Sequence, residues 1–235
     1  MSRANADQLA QLKRFTTCEV SDALTKLAQP GGGYLADLDL FTPTTAVPQT
    51  IVGEAYTVKM VDQKQAEAPK LKEHWVDTAP RDSVIVISSP PYVKSASLGG
   101  LLAAGAQVRG VQAVVIDGRC RDLAEIRDMK LPVFARGHST LGQSPFTRPS
   151  EIQVPVEIKP VILAFASSQD WPSITVNPYD VVMADEDGVI VVPPSLIDEV
   201  LALAEKGKEA DEKTMADIRA GKGVKASMDL HRGKK

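Results

Sequence analysis

The chain has 235 residues, of which 43% are hydrophobic, and a formal net charge of -3 at pH 7. A chain of this length can bury a full core, and its composition is that of an ordinary globular protein. The small negative charge gives no electrostatic reason to expect nucleic acid or an anionic membrane as a partner, so a small molecule is the favoured ligand.

The first third of the chain begins with two helical patterns. Residues 5–13 and 16–28 have apolar residues at helical spacing, and the second helix is expected to end by Pro30. Residues 50–60 have the β-branched enrichment of a strand, and the Ala/Lys-rich stretch 62–75 is typical of an exposed helix.

The central third alternates short apolar runs with helical segments. This pattern predicts parallel strands joined by right-handed crossovers, because each apolar run would be covered on both faces. The predicted strands are 83–88, 111–117 and 132–136, and the predicted helices are 96–110 and 121–129.

The last third is rich in predicted strands. EIQVPVEI (151–158), VILAFAS (161–167) and the stretch 174–193 have strand character, and Asp187-Gly188 sits between two apolar runs as a hairpin turn does. Residues 195–221 then have the pattern of one long helix. Residues 1–222 are interpreted as a single α/β domain, and residues 223–235 are predicted to form a mobile tail.

Targeting signals and metal-binding patterns are sparse. No apolar run approaches the ~20 residues of a membrane span and the start has no signal-peptide core, so a cytoplasmic protein is expected. Cys18 and Cys120 lack CxxC spacing and are interpreted as reduced thiols. His74, His138 and His231 lack metal-type spacing, so oxygen ligands are expected for any metal.

The stretch IDGRCRDLAE (116–125) is the strongest candidate for a site. Ligand sites in open α/β sheets lie at the carboxyl ends of parallel strands, where this stretch is predicted to turn into a helix. The alternative is that Asp122 only caps that helix and the arginines are solvated.

Gly99-Gly100 opens a second predicted helix onto Leu101-Leu102, whose N-terminal N–H groups favour an anion. Arg121 adds a planar donor matched to a carboxylate, and Asp122 can hold a hard divalent ion through oxygen. Together these groups suit an α-keto acid. The alternative for the glycine pair is close packing of helix on sheet.

The segment ASLGGLLAAGAQVRGVQAVVIDGRCRDLAEIRDMKLPVFARG (96–137) resembles the signature block of the class II pyruvate aldolases. These are the 4-hydroxy-4-methyl-2-oxoglutarate aldolase and oxaloacetate decarboxylase family, which also contains the bacterial regulator of ribonuclease activity A. VSDAL (20–24), IVGEAYTV (51–58) and ADEDGVIVVP (184–193) are similar to family segments in family order, so the likeness covers roughly residues 15–195.

The resemblance implies a single-domain α/β fold of the swivelling β/β/α type, in homotrimers or homohexamers with the active site between neighbouring subunits. It further implies that the amides of Gly99, Gly100, Leu101 and Leu102 hold the substrate carboxylate. Arg121 would bind substrate and the developing enolate oxygen, and Asp122 would ligate Mg²⁺ or Mn²⁺.

A glutamate from the C-terminal helix of the neighbouring subunit approaches the metal in such enzymes. Glu209 is the candidate in this chain, with Glu205 and Glu212 as rivals. The alternative for each of them is a solvated helix face.

One position departs from the family pattern, which is an aspartate, twenty residues, and then Arg-Asp. Counting back from Arg121 places Gly100 where that acid belongs. Retro-aldol cleavage must remove a proton from the C4 hydroxyl, and loss of a general base costs ~10²- to 10⁴-fold. Decarboxylation of oxaloacetate needs no such base, so we expect it to persist and aldol cleavage to be weak or absent.

Two other functions compete with the enzyme. A non-catalytic regulator that binds a ribonuclease would not require Arg121-Asp122 beside Gly99-Gly100, and the chain shows no acidic tail or other obvious partner surface. A phosphohistidine carrier would use His138 in RGHST, for which a structural loop histidine is the alternative.

Overall fold

The computed structural model describes residues 3–42, 50–160 and 171–233, whose strands form one mixed nine-stranded sheet and a separate pair. The strands are β1 Asp39–Leu40, β2 Ile51–Asp62, β3 Val84–Ser88, β4 Ala96–Leu98, β5 Ala113–Cys120, β6 Val133–His138, β7 Thr147–Ile152, β8 Val156–Ile158, β9 Ile174–Val176, β10 Val181–Asp185 and β11 Gly188–Val192. The helices are α1 Ala6–Leu12, α2 Thr17–Lys26, α3 Gly100–Arg109, α4 Leu123–Met129, α5 Ile197–Arg219 and α6 Val224–His231.

The centre of the sheet is parallel, as the central apolar runs predict. The order along the main sheet is β1-β6-β5-β3-β2-β10-β11, and β2, β3, β5 and β6 pair in parallel. Helix α3 connects β4 to β5, and α4 connects β5 to β6. The crossovers therefore bring the carboxyl ends of β4 and β5 to the starts of α3 and α4.

The core lies on both faces of this sheet. On one face α3, α4 and the fully buried Trp75 pack over Ile85, Ile87 and Ile116. On the other face the β8–β9 pair covers Val86 and Val115. The apolar residues of β3 are thus buried from both sides, which explains why its sequence shows a continuous apolar run rather than alternation.

The terminal helices form a third cluster with the β10–β11 hairpin. Asn5 and Thr16 begin α1 and α2 with capping boxes, each closed by the side chain three residues later. Helix α5 buries Ile197, Val200 and Ala204 in this cluster. The hairpin forms where it is predicted, but its turn is Glu186-Asp187 rather than Asp187-Gly188, because Gly188 already pairs with Asp185.

Two predictions of local structure are wrong. The segment predicted as a helix, 62–75, forms turns after the end of β2 at Asp62, because Pro69 interrupts it and Arg148 donates to the carbonyl oxygens of Gln65 and Ala68 at 2.7 and 2.8 Å. Residues 224–231 form helix α6 instead of a mobile tail. Asp217 on α5 holds α6 through the ring of His231 at 3.0 Å.

The strand prediction for VILAFAS (161–167) lies outside the described residues. No helix within the described ranges combines the length and the apolar character of a membrane span.

Candidate active site at the ends of strands β4 and β5

The turn before α4 lies at Asp122, because β5 runs three residues beyond the predicted strand end at residue 117. Strand β5 continues to Cys120 because its last residues pair with β4 on one side and β6 on the other. The N–H of Arg121 then donates to the carbonyl of Leu98 at 2.9 Å. Asp122 has φ 61° and ψ 45°, a left-handed conformation that turns the chain abruptly into α4.

The carboxylate of Asp122 faces the start of α3. Its Oδ2 accepts the N–H of Gly100 at 2.9 Å and lies 3.4 Å from Nε of Arg121. It makes no capping hydrogen bond to its own helix, α4. The interpretation of Asp122 as a cap for the helix that follows it is therefore wrong, and its carboxylate instead ties two strand ends together.

Gly99 permits this close approach. A Cβ on Gly99 would lie 2.7 Å from Oδ2 of Asp122 and 3.1 Å from Nε of Arg121. On the far side of the guanidinium, a Cβ on Gly142 would lie 2.8 Å from Arg121 Nη1. The Arg121 side chain thus passes between two glycines, and any side chain at position 99 would displace it.

The first turn of α3 retains free donors, although fewer than predicted. The N–H of Gly100 is already engaged by Asp122. Among the hydrogen bonds of the described residues, none uses the N–H groups of Leu101 or Leu102. These two amides, with the 40% exposed side chain of Arg121 nearby, can receive an anion of carboxylate size.

Asp122 can serve as one oxygen ligand of a divalent cation. Its Oδ2 makes the contacts described above, and Oδ1 accepts no hydrogen bond from the described residues. No cluster of three or more metal-ligating side chains occurs in the described part of the chain. A single carboxylate fits Mg²⁺ or Mn²⁺ only as an ion that keeps several waters, which is a common mode for Mg²⁺.

The glutamates of α5 do not join this site within one chain. Helix α5 packs on α1, α2 and α6, in the cluster that excludes α3 and α4. Glu205 pairs with Arg14 at 3.2 Å, and Glu209 and Glu212 are exposed. A role for Glu209 at the metal would therefore require a second copy of the chain, as the sequence analysis expects.

Sequence reasoning missed Glu125, whose carboxylate lies directly over Gly100. A Cβ on Gly100 would lie 1.7 Å from Oε2 of Glu125 and 2.8 Å from its Cδ. Glu125 follows Asp122 by three residues in the first turn of α4, and helical spacing places such a pair on one face. That spacing could have predicted its position.

A separate cavity of about 900 Å³ opens nearby and contains neither Arg121 nor Asp122. Asp117 and Arg136 form an ion pair in its wall, and the guanidinium also donates to the carbonyl oxygens of Ala36 and Lys159. Burial raises the pKa of Asp117, and Arg136 counteracts part of that effect. These charges are already paired, so they serve as structure rather than as a free anion site.

The remaining candidates are structural by their surroundings. Cys18 and Cys120 are free thiols, and burial raises the pKa of Cys120 to about 11, which keeps it protonated and unreactive at neutral pH. The ring of His138 packs edge-on against Phe41 with centroids 5.9 Å apart. That contact is typical of a structural histidine at a strand end.

Comparison with known families gives a match over most of this fold. The family model described as "RraA-like: Aldolase/RraA" matches residues 17–191. The match runs from the start of α2 into β11 and includes both strand ends that carry Gly99, Gly100, Arg121 and Asp122.

Individual proteins show the same likeness at low identity. The chain is 27% identical to protein DlpA of Legionella pneumophila over 91% of its own length, but it spans only 32% of that protein. It is 28% identical to a Halalkalibacterium halodurans protein provisionally named a 4-hydroxy-4-methyl-2-oxoglutarate aldolase, over 91% of this chain and 89% of that one.

Among solved structures, Streptomyces coelicolor RraAS2, described as an unusual member of the RNase ES inhibitor RraA protein family, superposes with a TM-score of 0.72. It is 21% identical and is matched over 90% of this chain and 97% of its own. At that identity the likeness shows a shared fold.

Proposed function

Because this chain belongs to the RraA-like family of aldolases and RraA proteins, we propose that it is a carbon–carbon lyase acting on α-keto acids through a pyruvate enolate. The reaction that this site chemistry favours is decarboxylation of oxaloacetate to pyruvate and CO₂. One observation carries the proposal: Arg121, Asp122 and the free amides of Leu101 and Leu102 converge at one pair of strand ends.

Binding and orientation fall to the start of α3 and to Arg121. The amides of Leu101 and Leu102 would receive the C1 carboxylate, since helix N-termini favour anions. The Arg121 guanidinium would then lie beside the C2 oxygen, since its 40% exposed side chain stands at the same strand ends as these amides. Gly99 and Gly142 leave room for the guanidinium between them, because a side chain at either position would crowd it.

In the decarboxylation step, negative charge develops on the C2 oxygen of the substrate, beside Arg121. When the bond between C3 and C4 of oxaloacetate breaks, CO₂ leaves and the electron pair forms the enolate of pyruvate. A fixed cation near the C2 oxygen stabilises this developing charge, and such preorganised electrostatic stabilisation is a large catalytic term. Mg²⁺ or Mn²⁺ on Asp122 would supply Lewis-acid polarisation of the keto group.

The exposed apolar surface of α3 supports an assembled form of the enzyme. Leu101 is 90% exposed and Val108 is 81% exposed, seven residues apart on one helix face beside the site. Exposed apolar surface of this kind is typical of protein interfaces. We therefore include in the proposal a homo-oligomer, trimer or hexamer, in which a neighbouring α5 brings Glu209 toward Asp122.

A ribonuclease-binding regulator is the alternative function. Its support is the fold shared with the Streptomyces protein, and that likeness does not require the arrangement around Asp122. The discriminating experiment is pyruvate release from oxaloacetate by purified protein with Mg²⁺ and with EDTA. We expect release that EDTA abolishes. Absence of release at any metal concentration, together with no cleavage of 4-hydroxy-4-methyl-2-oxoglutarate, would reject the lyase. Release that is unaffected by EDTA would reject Asp122 as a metal ligand.

A further inference from the structure

The place where a side chain at position 100 would begin is occupied by another carboxylate. Oε2 of Glu125 lies 1.7 Å from the position of a Cβ built on Gly100, and its Cβ lies 3.4 Å away. The glutamate therefore lies along the first residue of α3. The carboxylate of Glu125 therefore fills the space that an acidic side chain at position 100 would occupy.

The local structure explains this placement. Ile126 is fully buried and anchors α4 on the sheet, which orients its neighbour Glu125 toward α3. The N-terminus of α3 attracts negative charge through its exposed N–H groups. Among the described residues, the Glu125 side chain takes part in no hydrogen bond or ion pair, so its oxygens are free to accept a proton.

We infer that Glu125 is the proton acceptor for retro-aldol cleavage of 4-hydroxy-2-oxo acids at this site, an inference that rests on the proposed function. Asp122 is less suited to that role, because its Oδ2 is already held by Gly100 and Arg121. Glu125 is the second carboxylate beside the same strand ends. Weak aldol cleavage is expected when Gly100 alone is taken into account. With Glu125 as the base, we expect aldol cleavage to occur.

The step balances without another reactant. Glu125 takes the proton of the C4 hydroxyl, the C3–C4 bond breaks, and C4 becomes a carbonyl. The electron pair of that bond forms the enolate of pyruvate, which the Arg121 guanidinium stabilises. The protonated Glu125 or solvent then returns a proton to C3, giving pyruvate and a second carbonyl compound.

The geometry allows a carboxylate side chain at position 100 or at position 125, but not at both. An aspartate at position 100 would collide with Glu125, since the two would share one volume. Removing the Glu125 side chain clears that volume. Gly100 has an ordinary helical backbone at the start of α3, so Gly100→Asp in a Glu125→Ala background returns a carboxylate to the same space from the other side.

The experiment compares two reactions in the same purified full-length protein with Mg²⁺: cleavage of 4-hydroxy-4-methyl-2-oxoglutarate and decarboxylation of oxaloacetate. In E125Q we expect kcat for cleavage to fall ~10²- to 10⁴-fold, with decarboxylation retained within about threefold because it needs no base. In E125A, kcat for cleavage should fall similarly. In G100D/E125A, kcat for cleavage should be at least about tenfold higher than in E125A. D128N, an exposed acid on the same helix, is the matched control.

Each other outcome has a defined meaning. The inference is overturned if E125Q keeps its cleavage rate, if both reactions fall together in E125Q while the thermal midpoint is unchanged, or if the wild type decarboxylates oxaloacetate without cleaving the aldol substrate. In these cases the lyase proposal stands. A wild type inactive in both reactions overturns the proposed function and the inference with it.

Discussion

The amide of Gly100 and the carboxylate of Asp122 are joined by a 2.9 Å hydrogen bond across 22 residues of sequence. The bond closes the ends of β4 and β5 against each other and fixes the carboxylate in one orientation. Because Asp122 also has a left-handed backbone, both its main chain and its side chain are constrained. A rigidly held carboxylate is what a metal or substrate site requires.

Replacing Arg121 by alanine tests the electrostatic basis of the proposal. We expect kcat for oxaloacetate decarboxylation to fall about 10²- to 10³-fold, the cost of removing one donor that stabilises an oxyanion. Steady-state pyruvate release measures it. R219A, an exposed arginine at the end of α5, serves as the control and should keep its rate. Unchanged turnover in R121A would contradict the enolate mechanism.

Asp122→Asn tests the metal ligand without relying on activity. Asparagine adopts the left-handed conformation readily and keeps an oxygen for Gly100, so the fold should be retained. We expect Mn²⁺ affinity, measured by calorimetric titration of the purified protein, to fall at least about tenfold, the lower bound seen for lost outer-sphere partners. D128N should bind Mn²⁺ as the wild type does. Equal affinity in D122N and wild type would place the ion elsewhere.

Asp117→Ala tests the ion pair beneath the cavity. The variant leaves the Arg136 side chain, 14% exposed, without its nearest anion, and among the described residues Asp37 at 3.7 Å is the remaining anionic partner. We expect the free energy of unfolding in urea to fall by about 3 kcal/mol, the low end for breaking a buried pair. D117A/R136M should be less destabilised than D117A. If the double variant is the less stable of the two, the desolvation argument fails.

Asp217→Asn tests the docking of α6 and its pH dependence. Hydrogen bonds from Lys222 and then His231 hold the pKa of Asp217 below its usual range. A carboxyl group whose pKa is lowered by folding stabilises the fold at pH values above its pKa in the unfolded chain. That stabilisation is lost as the pH falls through the pKa of the folded protein. We therefore expect wild-type α6 to loosen in acid, and D217N to loosen already at neutral pH with less acid dependence.

Hydrogen exchange of residues 224–231, normalised to α3, measures this loosening. D229N is the matched control, because Asp229 pairs with Lys225 on α6 itself and with no other residue in the described part of the chain. Equal protection of α6 in D217N and wild type at neutral pH would contradict the assigned contact.

The regular part of the fold could be predicted from the sequence because its signal is local. Apolar runs and helical spacing identify β3, α3, α4, β6 and α5, and parallel pairing follows from their alternation. Residues 62–75 could not be predicted, since their conformation depends on Arg148 from β7. Helix α6 was missed for the same reason, because its partner Asp217 lies on another helix.

At the candidate site, residue types were predictable and contacts were not. Gly99, Arg121 and Asp122 come together as the strand-end rule requires. The use of the Gly100 amide by Asp122 and the position of Glu125 depend on how α3 and α4 pack, which composition does not encode. Glu209 stays a prediction, because a single chain cannot bring it to Asp122.

Strand β2 serves both parts of the sheet as one continuous element. Its residues 51–54 pair with β10, and residues 55–59 pair with β3. Neither the hairpin that carries the terminal helices nor the parallel core that carries the site can detach without breaking this shared strand. A proline at the middle of β2 would therefore disturb the candidate site through this shared backbone rather than through any chain of side chains.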